Sequence, residues 1–181
     1  FKGLPPPDLI LITHEHPDHM SADTLNAIGG SKAPIVAPES VRDKLPQALA
    51  ERVTVMKNGE SETVADIAIE AVPAYNTTPD RLKYHPRGRD NGYLLTLGNR
   101  RVYIAGDTED TPEMRALRNI DVAFVPMNLP YTMTVQQAAD AVRAFKPRIV
   151  YPYHSRGSDV DEFARLVGKD SGIEVRLRNW Y

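Results

Sequence analysis

Short apolar runs alternate with amphipathic segments along the whole chain, and this alternation is typical of an α/β domain. The runs that resemble strands are residues 8–13, 35–37, 52–56, 64–74, 92–97, 101–105, 121–126, 148–154 and 173–177. The segments with helical spacing of apolar residues are 21–28, 39–49, 111–118, 134–145 and 160–167. We see no repeat, low-complexity tract or internal linker, so the pattern predicts one domain over residues 1–181.

Residues with special backbone preferences mark where several of these elements begin and end. Thr134 and Gln137 form a capping box in front of the clearest helix, and Pro112 stands at the first position of the helix before it. Pro46 makes the middle of the second helix uncertain, and Gly29-Gly30 ends the first one.

The pattern breaks between residues 76 and 91, where prolines and glycine interrupt any regular element. Four cations surround His85 in this stretch: Arg81, Lys83, Arg87 and Arg89. The composition predicts a surface loop, and loops of this length in compact domains are often functional. The strands that follow it are expected to form a hairpin about Gly98-Asn99.

The composition narrows the class of protein without naming its activity. The net charge of −2 gives no general reason to expect binding to nucleic acid or to a membrane surface. There are no cysteines, which excludes disulfides, thiolate metal sites and cysteine nucleophiles, and which suits a cytoplasmic protein. No apolar run approaches the roughly 18 residues of a membrane span. The chain begins at Phe1, close to its first strand, so we expect part of the N-terminal region to be missing.

The residues most telling of chemistry form the cluster His14-Glu15-His16-Pro17-Asp18-His19, directly after the first strand. A strand end followed by a turn can direct the three imidazoles toward one point, with Asp18 beside them. Imidazole and carboxylate are ligands that suit zinc, manganese and iron. The cluster therefore predicts a metal site.

This cluster resembles the His-x-His-x-Asp-His signature of the metallo-β-lactamase superfamily. Two later segments are similar to further motifs of that family: Gly106-Asp107-Thr108 follows a strand, and Pro152-Tyr153-His154 closes another. The segments around them look most like the ascorbate-phosphate lactonase-like subgroup. The resemblance implies a four-layer αβ/βα sandwich, and because the cluster lies so near the start, we expect that sandwich to lack its N-terminal strands here.

The resemblance also implies two divalent metal ions, with zinc preferred and manganese or iron as alternatives. His14 and His16 would bind the first ion, and Asp18, His19 and His154 the second, while Asp107 would bridge the two. The family expects one more histidine on the first ion. His85 is the one available between the cluster and Asp107, and Asn76 at a strand end is the alternative.

The implied reaction is hydrolysis by a hydroxide bridging the metals, with Asp18 and Asp107 as the catalytic carboxylates. Redox relatives carry a carboxylate where His16 stands, which favours hydrolysis. The cations near His85, together with Arg156, suggest an anionic small-molecule substrate: an ester, lactone or phosphodiester, with phosphorylated compounds among the candidates. Tyr131, Tyr153 and a metal-bound water are the candidate proton donors to the leaving group.

Two other functions stay open at this point: a nuclease of the same superfamily, which the neutral charge disfavours, and a metal-binding protein without activity. We expect neither a membrane nor a nucleic-acid partner. A sheet without its first strands would have an exposed edge, so we expect either a fragment or a covering chain such as a second copy in a homo-oligomer.

Overall fold

The fold places two sheets face to face between two layers of helices. In a computed structural model, residues 3–28 and 33–180 are described. The strands are β1 (Ile10–Leu11), β2 (Ile35–Ala37), β3 (Val53–Val55), β4 (Ser61–Val64), β5 (Ile67–Ala74), β6 (Asp90–Leu97), β7 (Arg100–Ile104), β8 (Val122–Pro126), β9 (Ile149–Tyr153) and β10 (Glu174–Val175). The helices are α1 (Ala22–Ala27), α2 (Glu39–Arg42), α3 (Gln47–Ala50), α4 (Pro112–Ala116), α5 (Val135–Phe145) and α6 (Val160–Val167).

The described strands form a small sheet and a large one. The small sheet has the order β1-β2-β3 and is parallel. The large sheet has the order β10-β9-β8-β7-β6-β5-β4, antiparallel from β4 to β7 and parallel from β7 to β10. This is the mixed-sheet α/β architecture expected from the sequence.

Three hydrophobic clusters hold the layers together. One joins the small sheet to α1–α3 through residues such as Ile35 and Leu49. A second lies between the sheets, with Met56 and Tyr93 fully buried. The third packs α4–α6 on the outer face of the large sheet around Phe145. Three interfaces between four layers confirm the αβ/βα sandwich, with three described strands in its first sheet.

Several elements lie where the sequence predicts them. Thr134 and Gln137 make the reciprocal capping box of α5, Thr111 caps α4 ahead of Pro112, and β6 and β7 pair as a hairpin. The predicted end of α1 at Gly29-Gly30 lies outside the described residues. No helix in the described ranges is both long enough and apolar enough to cross a bilayer.

Two predictions on the elements were wrong. The single helix over 39–49 is two short helices, because Pro46 lacks the amide hydrogen and restricts the residue before it. The single strand over 64–74 is the end of β4, a two-residue turn and β5. That turn consists of Ala65 and Asp66, both with positive φ, which is the geometry of a type I′ hairpin.

Candidate metal centre

The predicted histidine cluster lies in the turn that follows β1, at the edge where both sheets present strand ends. Backbone hydrogen bonds fix the turn. The Ile12 amide donates to the Val36 carbonyl of the neighbouring strand, and the His19 and Met20 amides both donate to the His16 carbonyl. The Asn91 amide donates to the Thr13 carbonyl, which ties the turn to the start of β6. The small sheet thus delivers its histidines to the edge of the large one.

The seven predicted ligands converge at this edge. Their ligand atoms fall into three overlapping groups, each with all atoms within 4.8 Å of one another. The groups are His14, His16 and His85; His14, His19 and Asp107; and Asp18, His19 and His154. The arrangement therefore offers one position among His14, His16 and His85 and another among Asp18, His19 and His154, with Asp107 between them.

Asp107 is the centre of this arrangement. Its Oδ2 lies 3.5 Å from Nε2 of His85, 3.5 Å from that of His154 and 3.9 Å from that of His14, and its Oδ1 lies 3.4 Å from Nε2 of His19. Gly106 makes this approach possible, because it has φ +66° and a Cβ there would lie 2.9 Å from the Asn91 carbonyl oxygen. A carboxylate in this place can contact both positions.

The predicted surface loop is exposed over much of its length, but His85 within it is buried. The His85 carbonyl accepts from the Asn76 amide at 2.8 Å, which holds this part of the loop against the end of β5. The His85 ring lies 4.9 Å from that of His14 and 4.8 Å from that of His16. The Asn76 side chain instead donates to the carbonyls of Arg81 and Tyr131, joining two loops. The geometry therefore favours His85 over Asn76 as the third residue of the first position.

The second position is more open to solvent. Nε2 of His154 lies 3.1 Å from Asp18 Oδ2, and Nε2 of His19 lies 3.4 Å from the same oxygen. His154 has φ +44°, a conformation that non-glycine residues adopt at an energetic cost and that is enriched at functional sites. Asp18 has a 63% exposed side chain, so it is the carboxylate most accessible to an incoming molecule.

Unpaired polar atoms indicate that a cation fits this site. His14 Nε2, His85 Nε2 and Asp107 Oδ1 are buried and lack a hydrogen-bond partner. Leaving such atoms buried and unpaired costs free energy, whereas a bound cation would satisfy all three. Imidazole nitrogens with carboxylate oxygens are a donor set suited to zinc, manganese and iron.

The protonation states also suit metal binding. Burial, followed by the neighbouring His19 and His85, lowers the pKa of His14 far below its usual range. Burial likewise lowers the pKa of His16 and His19, so these rings are neutral, as metal ligation requires. Burial opposes ionisation of Asp18, but the hydrogen bond from His154 and the nearby His19 outweigh it, and its pKa is lowered.

Three residues that sequence reasoning missed hold the ligands in place. Asp90 is buried and its Oδ2 lies 3.0 Å from His85 Nδ1, which directs Nε2 of that ring into the centre. Thr13 Oγ1 lies 2.9 Å from His14 Nδ1 in the same way. Glu109, also buried, accepts from the Thr77 and Thr78 amides and lies 2.8 Å from Arg81 Nη1, which clamps the loop carrying His85. Only their placement beside ligands in the fold distinguishes them from ordinary polar residues.

A cavity of about 830 Å³ opens above the ligands. His16, Asp18, His19, Asp107 and His154 line its floor, and Tyr84, Asn128, Tyr131, Tyr153 and Arg156 line its walls. The hydroxyl of Tyr153 donates to the Gly106 carbonyl at 3.0 Å. Its proton is therefore engaged in the structure, which weakens its case as the donor to a leaving group.

Most of the cations predicted to bind an anionic substrate are committed elsewhere. Arg81 pairs with Glu109, Arg89 pairs with Asp90 at 2.7 Å, and Arg87 pairs with Glu113 at 3.1 Å. Lys83 is not among the residues that line the cavity, and Arg156 is the one member of the predicted set that is.

Comparisons with known proteins find related sequences and structures. The family model described as the β-lactamase superfamily domain matches residues 1–155. A UPF0173 metal-dependent hydrolase of Thermococcus kodakarensis is 33% identical over 93% of this chain and 78% of its own length, and one of Pyrococcus horikoshii is 34% identical over 93% and 77%. A Parabacteroides distasonis crystal structure, assigned as a metal-dependent hydrolase, is 53% identical and superposes with a TM-score of 0.90 over 97% of this chain and 78% of that one.

Proposed function

Because the chain belongs to the metallo-β-lactamase superfamily and, within it, to the UPF0173 metal-dependent hydrolases, we propose that it hydrolyses a small ester, lactone or phosphodiester with two divalent metal ions. The observation that carries this proposal is the set of unpaired ligand atoms beneath an open cavity. His14, His16 and His85 would hold one ion, Asp18, His19 and His154 the other, and Asp107 would contact both.

Divalent ions held there would supply a water of lowered pKa and polarise the scissile bond. The residues of the chain provide the rest. Asp18, exposed at the cavity floor, is placed to orient an attacking water by accepting a hydrogen bond from it. Arg156 in the wall is placed to bind one anionic group of the substrate by charge-assisted hydrogen bonds. Asp90 and Thr13 keep two of the ligand rings oriented, so that little reorganisation is needed during the reaction.

The number and identity of the ions can be tested directly. Elemental analysis of the purified protein, with anomalous maps at the zinc, iron and manganese edges, should give two ions per chain, with zinc as the proposed metal. His85 Nε2 should lie about 2.0–2.1 Å from one of them. A single ion, or His85 more than about 4 Å from both, would contradict the ligand assignment.

The reaction can be tested with a substrate panel and one matched pair of variants. Asp107→Asn should lower both the metal content and the hydrolysis rate, the rate by more than about 100-fold, because the carboxylate between the positions is lost. Asp161→Asn, on the exposed face of α6, should leave both unchanged. The panel should contain esters, phosphodiesters, a lactone and a sugar-phosphate lactone, the last because of the lactonase-like resemblance.

Two outcomes of the same panel would support other functions. Salt-sensitive binding and cleavage of RNA or single-stranded DNA would support a nuclease. Full metal occupancy with no turnover across the panel would support a metal-binding protein without catalytic activity.

A further inference from the structure

Three tyrosines from three different segments line the cavity beside the candidate metal centre, and together they are called the tyrosine wall. Tyr84 lies in the loop before β6, Tyr131 in the loop after β8, and Tyr153 at the end of β9. The rings of Tyr84 and Tyr131 meet edge to face, with centroids 5.0 Å apart and planes at 74°. This is the geometry that paired aromatic side chains prefer, and it leaves ring surface facing the cavity.

The backbone of this wall is held in position by hydrogen bonds. The Tyr131 carbonyl accepts from Asn76 at 2.9 Å, and its amide donates to the Asn128 carbonyl at 3.0 Å. The Tyr84 carbonyl accepts from Arg89 at 2.8 Å. A wall fixed in this way binds a ligand with little loss of conformational entropy.

Tyr131 is nevertheless 44% exposed, and two further large apolar residues in the same loops are exposed as well. Leu82 is 46% and Leu129 53% exposed, so half of the six exposed large hydrophobic residues in the described chain belong to the two loops whose tyrosines meet. Of these three residues, Tyr131 lines the cavity, and exposed apolar residues in loops that line a cavity are typical of ligand-binding surfaces.

Two cations lie beside these tyrosines. Arg156 lines the cavity together with them, and Lys83 Nζ lies 5.1 Å from the centre of the Tyr84 ring. The other cations of the loop, Arg81, Arg87 and Arg89, are paired with carboxylates. The site thus combines aromatic surface with positive charge at its edge.

We infer that the Tyr84–Tyr131–Tyr153 wall is a subsite for a planar aromatic group attached to the bond that is hydrolysed. The substrate class is then an aryl-bearing ester, lactone or phosphodiester. The reaction part of this inference rests on the proposed function, but the binding part does not.

The test compares phenylphosphonate with methylphosphonate, which share an anionic head and differ in the aromatic ring. Isothermal titration and ligand-observed NMR, on zinc-loaded and on metal-depleted protein, should give about tenfold tighter binding of phenylphosphonate in at least the zinc-loaded form. Equal affinity of the two probes in both forms, or no binding of either at millimolar concentration, would overturn the inference.

Variants assign the preference to the wall. Tyr131→Ala should reduce the ratio of affinities to about twofold, whereas Tyr131→Phe, which keeps the ring, should preserve it. Leu97→Ala should also preserve this ratio, since Leu97 is an exposed residue at the end of β6 opposite to the one that begins beside the site. Thermal unfolding of each variant shows whether it is folded, and Tyr84→Ala, which removes the ring packed against Tyr131, tests the same loss of preference if Tyr131→Ala is not.

The two proposals fail separately. Hydrolysis of the panel without a preference for aryl substrates, together with equal binding of the probes, would remove the inference and leave the proposed function. A clear preference for phenylphosphonate without hydrolysis of any substrate would leave the aromatic subsite and remove the proposed function.

Discussion

Asp90 shows how a single buried side chain decides which atom of a neighbouring ligand is available. Its Oδ2 lies 3.0 Å from His85 Nδ1, and Arg89 donates to both of its carboxylate oxygens. Since Arg89 holds this carboxylate in place beside Nδ1, the His85 ring is oriented with Nε2 toward the other ligands, where that atom can accept a metal. Asp90 is therefore a positioning residue, because it acts through His85.

We predict that Asp90→Asn lowers the affinity for zinc about 10- to 100-fold. The amide can still contact the ring, but it no longer fixes the tautomer by charge. Competition with a chromophoric chelator measures the affinity, and imidazole NMR of the metal-depleted protein reports the tautomer of His85 independently of activity. Asp161→Asn should bind zinc as the native chain does, and an Asp90→Asn affinity within about twofold of the native value would refute the positioning role.

At the scale of the elements, Asp121 joins three neighbouring strands of the large sheet. Asp121 directly precedes β8. Its carboxylate accepts from the Arg101 amide and the Arg100 side chain at the start of β7, and from the Arg148 side chain directly before β9. The hydrogen bond from the Arg101 amide, and then that from Arg100, lower the pKa of Asp121 to about 2. Folding thus favours its ionised form.

The lowered pKa gives a stability difference that depends on pH. The contribution of Asp121 is complete above the pKa of the unfolded carboxyl, about 4, and it is lost as the pH falls through about 2. We expect Asp121→Asn to lower the urea midpoint at pH 7, and this deficit to shrink when the measurement is repeated between pH 4 and pH 2. Glu62→Gln, on the exposed β4, is the control. A deficit that stays constant with pH would contradict the role of the charge.

The hairpin between β4 and β5 shows what the sequence could not convey about the elements. Strong signals such as the capping box of α5, Pro112 and the Gly98-Asn99 turn predicted their elements within one or two residues. The turn at Ala65-Asp66 contains no glycine or asparagine to mark it. The alternation of apolar and polar residues continues through it, so the sequence predicted one strand there. The paired strands supply the free energy that holds Ala65 and Asp66 at positive φ, and that tertiary contribution is not visible in the local sequence.

This strained turn leads to a prediction. Replacing Ala65-Asp66 by Asn-Gly should stabilise the chain by about 1 kcal/mol, since these residues adopt positive φ at lower cost. Urea unfolding measures the gain, and the exchange of β4–β5 amides should slow accordingly. An unchanged or lowered urea midpoint would contradict the cost assigned to positive φ at these two residues.

At the scale of the whole molecule, the candidate centre lies where the two sheets meet. The small sheet contributes the residues that follow β1, and the large sheet contributes the ends of β7 and β9 and the loop before β6. The motifs alone predicted which residues meet, because the signature fixes their types and order. They did not predict that the loop would bury His85, since its four cations made it resemble a solvent-exposed segment. Three of these cations, Arg81, Arg89 and Arg87, pair with Glu109, Asp90 and Glu113, and these pairs exist only in the fold.

A cation bound between the sheets should therefore stabilise the fold as a whole. Without it, His14 Nε2, His85 Nε2 and Asp107 Oδ1 stay buried and without a hydrogen-bond partner, which costs free energy in the folded state. We predict that the free energy of unfolding, measured with urea, rises with the concentration of free zinc, because zinc binds the folded chain in preference to the unfolded one. The rise should be about 2.7 kcal/mol when free zinc is at 100 times its dissociation constant. Asp107→Asn should weaken this dependence strongly, while Asp161→Asn should retain it. Unfolding of the native chain would separate both sheets from the ion. The zinc-dependent increase in the free energy of unfolding should therefore be the same by Trp180 fluorescence and by far-ultraviolet circular dichroism. A urea midpoint that does not change with zinc would argue against a metal site at this interface.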